Sequence, residues 1–248
     1  MDVRITHLYP DLMCIYGDRG NVLALAQRAR WRGIAAEVRE HQAGEPLDPD
    51  WADLYFFGGG QDVGQDVVSR DLQGPNGEAL RRALDPPGGT RAAGAACLSV
   101  CGGYQLLGRE YVPAEGPSIP GLGVLDVTTR AGTKRFVNNL LAEAPQGTLI
   151  GFENHSGRTY LGPGARPLAR VLVGHGNNGE DKTEGAVQGK VVGTYCHGSV
   201  LPKNPWLADL LLGWALERRH GPVALAPLDD AEETAAQRSA VEVARTRP

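Results

Sequence analysis

The chain has 248 residues, 42% of them hydrophobic, and a net charge of −4, which is enough apolar material for one large α/β domain and argues against disorder. No long Lys/Arg cluster is present, so the electrostatic footprint of a nucleic-acid or anionic-membrane binder is missing. No apolar run reaches the ~20 residues that span a bilayer, and "MDVRITHLYPDLM" lacks the basic start and apolar core of a signal peptide; a cytoplasmic location is expected.

In chain order, Val3 to Leu8 predicts a strand, Asn21 to Trp31 a helix begun at Asn21 and closed by Gly33, and Ile34 to Arg39 an alternating strand. "ADLYFFGGG" is an apolar run that stops at Gly58, Gly59 and Gly60, as a buried parallel strand does when it delivers backbone to a site. Val63 to Leu84 is helical with a break at "QGPNGE", and Pro86 to Gly89 marks a loop. "RAAGAACLSV" then predicts a buried strand leading to Cys101, and "YQLLGRE" a short helix. Further strands are expected at Leu122 to Val127, Thr148 to Glu153, Ala169 to Val173 and Gly185 to Cys196, and a last helix at Trp206 to Arg219. The fold class is α/β, a mainly parallel central sheet flanked by helices with the site at the strands' carboxyl ends. Residues 1–221 are expected to form this domain. The tail 222–248, rich in Ala, Pro and charge, is either a docked helix or a frayed end.

The four cysteines are Cys14, Cys97, Cys101 and Cys196, too few and too scattered for a disulfide framework. A zinc site is weakened because Cys97 and Cys101 lack a matching Cys/His pair downstream. Strand, Cys101, Gly102, Gly103, helix is the order of a nucleophile elbow, although Ser99 stands where that pattern prefers glycine. A helix N-terminus favours the thiolate there. The alternative is a small buried cysteine with no chemistry.

A reactive thiol needs a base, and His197 in "VVGTYCHGS" stands just past an apolar run. His155 in "GFENHSG" is its rival, while His7, His41, His175 and His220 are expected on the surface or in loops. The backbone N–H of Gly102 and one from Gly59 or Gly60 could form an oxyanion hole. The triple glycine could also be a flexible turn or a phosphate cradle, but no GK[ST] follows it.

Taken together, "CGGYQLLG", "GFENHSGRT" and "GTYCHGSVLPKNP" resemble the class I (triad-type) glutamine amidotransferases, in their cobyric-acid-synthase-like branch. "HLYPDLMCIYGDRGN" and "GTKRFVNN" are similar to glutaminase subunits of that branch that serve lipid II amidation, and the similarity runs from the first strand to about Trp206. The resemblance implies that Cys101 attacks the side-chain amide of L-glutamine, that His197 transfers the protons, and that Arg135 binds the substrate. A guanidinium suits the α-carboxylate. It further implies a Mur-ligase-like synthetase partner, similar to MurT, which would hold ATP and Mg and present lipid II; no cofactor is expected in this chain. Many class I enzymes carry a carboxylate two residues after the histidine, where this chain has Ser199. A serine cannot stabilise an imidazolium, so a dyad, or a carboxylate supplied from elsewhere, is expected. The alternatives are a cobyric-acid-type amidotransferase acting on another carboxylate, and a non-catalytic binding module of the same fold.

Overall fold

Two strands with every residue buried, β3 (Leu54–Phe57) and β4 (Ala96–Val100), occupy the middle of a six-stranded sheet in this computed structural model, which describes residues 1–86 and 93–247. Continuous apolar runs of this kind are what burial on both faces requires. β1 (Asp2–Leu8) and β2 (Ala35–His41) lie parallel on one side of this pair. On the other side β12 (Val191–Thr194) is parallel to β4, and β11 (Ala186–Gln188) closes the edge antiparallel to β12. The order is β11-β12-β4-β3-β1-β2, so the mainly parallel central sheet is as expected.

α1 (Arg19–Trp31) and α6 (Pro205–His220) pack together against β1, and α4 (Gly102–Leu107) packs against β4 and β12. The break at "QGPNGE" separates α2 (Asp62–Leu72) from α3 (Pro75–Leu84), with Pro75 in the first turn of α3 where its missing N–H costs nothing. The loop expected at Pro86 to Gly89 lies outside the described residues from position 87 on. α1 begins at Arg19 rather than Asn21. Asn21 is a buried clamp, its Oδ1 accepting from Leu201 N–H at 2.9 Å, and α5 (Val200–Lys203) is held to α1 through it.

In the second half the strand expected at Ala169 to Val173 is present, Thr148 to Glu153 lies inside a longer strand and Gly185 to Cys196 holds two, but one expected strand is missing. Leu122 to Val127 is not a strand: Leu122, Gly123 and Leu125 donate their N–H groups to the carbonyls of Leu106, Gly108 and Leu107. The run satisfies the open carbonyl end of α4. The strand begins only at Val127 and continues as β7 (Val127–Ala144), paired with the equally long β8 (Gly147–Leu161). With β9 (Ala169–Val173), β10 (Thr183–Glu184), β5 (Glu110–Val112) and β6 (Ile119–Pro120) these form a second, largely antiparallel sheet. His7 and His41, expected on the surface or in loops, are buried on β1 and β2 against Phe56 and Tyr9.

The tail carries α7 (Ala231–Thr246), whose Ala240, Val241 and Ala244 pack on Leu141 and Ile150. Arg28 of α1 ties it down, reaching Asp209 of α6 at 2.8 Å and Asp230, just before α7, at 2.6 Å.

Candidate active site

Cys101 is the residue at which β4 turns into α4, and it has φ 50° and ψ −104°. A non-glycine residue in that region is strained, and such strain persists only where the surroundings over-determine it. Here Cys101 N–H donates to Thr194 O at 2.9 Å, Gln105 N–H donates to Cys101 O at 3.0 Å, and Gly103 N–H donates to Gly58 O at 3.1 Å. Close approach of backbone requires glycine at position 103, while at position 102 the approach is made by movable side chains. A Cβ on Gly102 would stand 2.4 Å from Gln65 Nε2, and one on Gly103 would stand 2.6 Å from Phe57 O. Ser99 fits in place of glycine because its buried hydroxyl donates to Val192 O. Cys97 and Cys196 are fully buried, and burial pushes both thiols well above the ordinary range, which leaves them inert.

His197 lies three residues past β12, fixed by a bridge in which its N–H donates to Phe152 O at 2.7 Å. Its ring stacks on Phe152 at 5.6 Å and meets Tyr16 edge-on at 5.0 Å. A Cβ placed on Gly59 would be 3.2 Å from His197 Cε1 and 3.4 Å from Cys101 Cβ. Gly59 is therefore the floor over which Cys101 and His197 converge. Both nitrogens of the buried His197 ring lack a hydrogen-bond partner among the described residues. Burial, and then the Arg135 guanidinium, push its pKa down to about 4, so the ring is neutral at physiological pH. His155 is elsewhere occupied: its ring lies flat on Tyr195 at 3.6 Å, Nδ1 bonds Gly157 O at 2.8 Å, and burial holds its pKa near 3.

Arg135 is aimed by an irregularity in the β7–β8 ladder, where Ala131 pairs with Gly157 but Phe136 already pairs with His155. The four residues 132–135 face only Ser156, and such a bulge re-directs a side chain. The Arg135 Nε donates to Asn154 Oδ1 at 2.5 Å, Asn154 Nδ2 donates to Tyr16 Oη at 2.8 Å, and the guanidinium meets no carboxylate among the described residues. It borders an open cleft of about 570 Å³ together with Ile15, Tyr16, Gly60, Gln61 and Val63.

The glycine loop corrects one expectation. Gly59 N–H donates to Asp18 Oδ2 at 2.7 Å, which commits it to that carboxylate and leaves Gly60 and Gly102 as the oxyanion-hole candidates. Ser199, in the left-handed region at φ 48°, turns its hydroxyl to Gly17 O at 2.6 Å. It ties the histidine turn to the segment before α1.

Tyr16, Asp18, Phe152 and Glu184 take part in the site without having been singled out in the sequence. Asp18 is fully buried and pushed up to about 7 by burial. Glu184 is likewise buried and pushed up to about 7 by burial, and it holds the corner before His197 by accepting from Thr194 Oγ1 and Tyr195 N–H. The run "YGDRG" beside an apolar strand was the available signal for Tyr16 and Asp18; Phe152 and Glu184 depend on pairings between distant strands.

Residues 4–205 match the CobB/CobQ-like glutamine amidotransferase domain, and the chain belongs to that family. It is 38% identical over 240 residues to the lipid II isoglutaminyl synthase (glutamine-hydrolyzing) subunit GatD of Staphylococcus aureus (strain N315), covering 95% of this chain and 93% of that protein. The GatD subunit of Streptococcus pneumoniae (strain ATCC BAA-255 / R6) is also 38% identical, over 222 residues, 88% of this chain and 82% of its own length. Cobyric acid synthase of Pelotomaculum thermopropionicum is 37% identical over 201 residues, but that match covers 74% of this chain and only 36% of the synthase. Among solved structures, the glutaminase domain of Trypanosoma brucei CTPS with bound acivicin shares the fold, with a TM-score of 0.54 at 10% identity over 90% of this chain and 96% of that one.

Proposed function

We propose that this chain is the glutaminase subunit of an ATP-dependent amide ligase that converts the D-glutamate of lipid II to D-isoglutamine for peptidoglycan synthesis in the cytoplasm. The Cys101 sulfur attacks the side-chain amide carbon of L-glutamine while His197 takes the thiol proton. His197 returns that proton to the departing nitrogen, the C–N bond breaks, and ammonia leaves a γ-glutamyl thioester. Water, deprotonated by the same imidazole, cleaves the thioester to glutamate and restores the thiol. Arg135 holds the substrate α-carboxylate at the cleft mouth, and the N–H groups of Gly60 and Gly102 receive the oxyanion.

The observation that carries this reading is the convergence over Gly59 of a strained, elbow-borne Cys101 and a neutral His197 whose ring nitrogens have no hydrogen-bond partner among the described residues. Extensive two-sided coverage of the GatD subunits supports the acceptor, whereas the cobyric acid synthase match spans about a third of that enzyme. Ammonia passes to a Mur-ligase-like partner similar to MurT, which holds ATP, Mg and lipid II. The partner also supplies the carboxylate that Ser199 does not, since one His197 nitrogen must face the thiol and the other is left without an acceptor among the described residues. The test measures glutamate release from glutamine by the chain alone and with the partner, for wild type and Cys101→Ser. Equal release by the variant refutes the assignment.

A further inference from the structure

Asp18 is a buried carboxylate with a single task visible at its oxygens. Oδ2 accepts Gly59 N–H at 2.7 Å, and Oδ1 has no partner among the described residues. This is a costly anchor, because burying a carboxyl oxygen without a hydrogen-bond partner is penalised. A backbone carbonyl would hold one N–H at less cost.

The bond has a consequence for the loop beside the nucleophile. Gly59 N–H belongs to the Gly58–Gly59 peptide, whose carbonyl, Gly58 O, accepts from Gly103 N–H at 3.1 Å. The plane is thus gripped at both ends, by Asp18 on one side and by the turn that carries Cys101 on the other. The next peptide has its carbonyl, Gly59 O, on Ile15 N–H at 3.3 Å, and in a trans peptide the N–H points opposite to the carbonyl. Gly60 N–H is therefore directed away from Ile15. Glycines can rotate freely, and residues 58–60 carry no side chain of their own to hold them: a Cβ on Gly58 would already lie 2.3 Å from Met13 O.

We propose that Asp18 is a positioning residue of the glutaminase site, which holds the Gly58–Gly59 peptide against rotation so that Gly60, not Gly59, offers its N–H to the oxyanion formed at Cys101. The inference rests on the glutaminase function proposed above. The oxyanion attracts every nearby N–H, and the acceptor oxygen of Asp18 keeps Gly59 N–H engaged away from it. Asp18 is well braced for this. Asp18 N–H donates to Ile15 O at 3.2 Å, Asn21 N–H donates to Asp18 O at 2.9 Å, and the same turn is joined to the histidine loop through Ser199 and Leu201.

The test compares wild type, Asp18→Ala and Asp18→Asn, with the synthetase partner present, in two reactions at Cys101. Glutamine hydrolysis passes through an oxyanion; alkylation by iodoacetamide does not. In Asp18→Ala, kcat is expected to fall about ten- to a hundred-fold, less than or comparable to loss of an oxyanion-hole donor, with KM for glutamine and the alkylation rate unchanged. Asp18→Asn, which keeps an acceptor oxygen for Gly59, is expected to recover most of the loss. Should Asp18→Ala fail to fold, Asp18→Ser, whose side chain is too short to reach Gly59 N–H, takes its place. Unchanged kcat in the acceptor-less variant overturns the proposal, as do hydrolysis and alkylation falling together, or an Asp18→Asn variant as slow as Asp18→Ala. A wild-type chain that releases no glutamate with its partner overturns the glutaminase function itself.

Discussion

Gly58 and Gly59 are neighbours, yet a methyl group added to each should fail in a different way. On Gly58 the new Cβ falls 2.3 Å from Met13 O and 2.9 Å from Asp18 Oδ2. The first of these is backbone and cannot step aside, so Gly58→Ala behaves as overpacking and costs about 1–3 kcal/mol. In a chain of this size that lowers the melting temperature by about 2–4 °C per kcal/mol. On Gly59 the nearest atoms are His197 Cε1 and Ile15 Cγ1 at 3.2 Å and Cys101 Cβ at 3.4 Å, tight but side-chain contacts. Gly59 is outside the left-handed region, so the stiffer unfolded chain of Gly59→Ala returns about 0.4–1 kcal/mol and its melting point should stay near wild type. Its turnover should not, because the methyl stands where Cys101 and His197 meet, and a shift of about 1 Å at reacting groups costs about a hundred-fold. Melting curves and glutamate release for both variants decide it. A Gly59→Ala enzyme that turns over normally, or that melts as low as Gly58→Ala, refutes the placement of the site over Gly59.

A glutamine-mimicking electrophile should label Cys101 alone, as read by peptide mass spectrometry, because burial holds the Cys97 and Cys196 thiols protonated; labelling of Cys196 equal to that of Cys101 contradicts this. Arg135→Ala should raise KM for glutamine about 10- to 150-fold, the loss of one charge-assisted pair of about 1.5–3 kcal/mol, while iodoacetamide still alkylates Cys101 at the wild-type rate. In the isolated chain His197 titrates near 4, so it stays an unprotonated base at neutral pH and activity is lost only as pH falls through that value. A partner carboxylate favours the imidazolium and raises this pKa, so the acid limb of the rate profile should move upward on complex formation and turnover should rise by up to about four orders of magnitude. An acid limb that stays near 4 in the complex, or full activity in the chain alone, argues against a supplied carboxylate.

The middle of the parallel sheet was legible because β3 and β4 are short and buried on both faces, so "LYFF" and "ACLSV" read as apolar blocks that end in glycine or at Cys101. β7 was not legible. Its Val127–Ala144 stretch carries Lys134 and Arg135 within the irregular segment and alternates buried with exposed residues only in part, which hides the period-2 signal. The apolar Leu122–Leu125 run misled for a related reason. Hydrophobicity reports burial, and these residues are buried to cover the end of α4 rather than to pair in a sheet. Cys101 and His197 stood out because each follows an apolar run directly. Asp18 did not, since nothing local distinguishes a buried aspartate before a helix from an exposed cap.

Ser199 illustrates how one position can serve two constraints. A carboxylate there could not replace the serine, because it has no proton to donate to Gly17 O, the acceptor to which the left-handed backbone directs the side chain. A Cβ on Gly20 would lie 2.4 Å from the serine hydroxyl and 2.9 Å from its Cβ, so the pocket around position 199 is filled to serine size. A longer acidic side chain would press on the same turn that carries Asp18 to Gly59 and Asn21 to Leu201. The geometry thus favours a small residue that ties the histidine turn to the segment before α1, and it leaves His197 to be oriented by packing between Phe152 and Tyr16. Stacking fixes the ring plane but provides no charge to stabilise a proton on it. A site built in this way is pre-organised in shape while weak in basicity, and basicity is the property that an approaching carboxylate supplies.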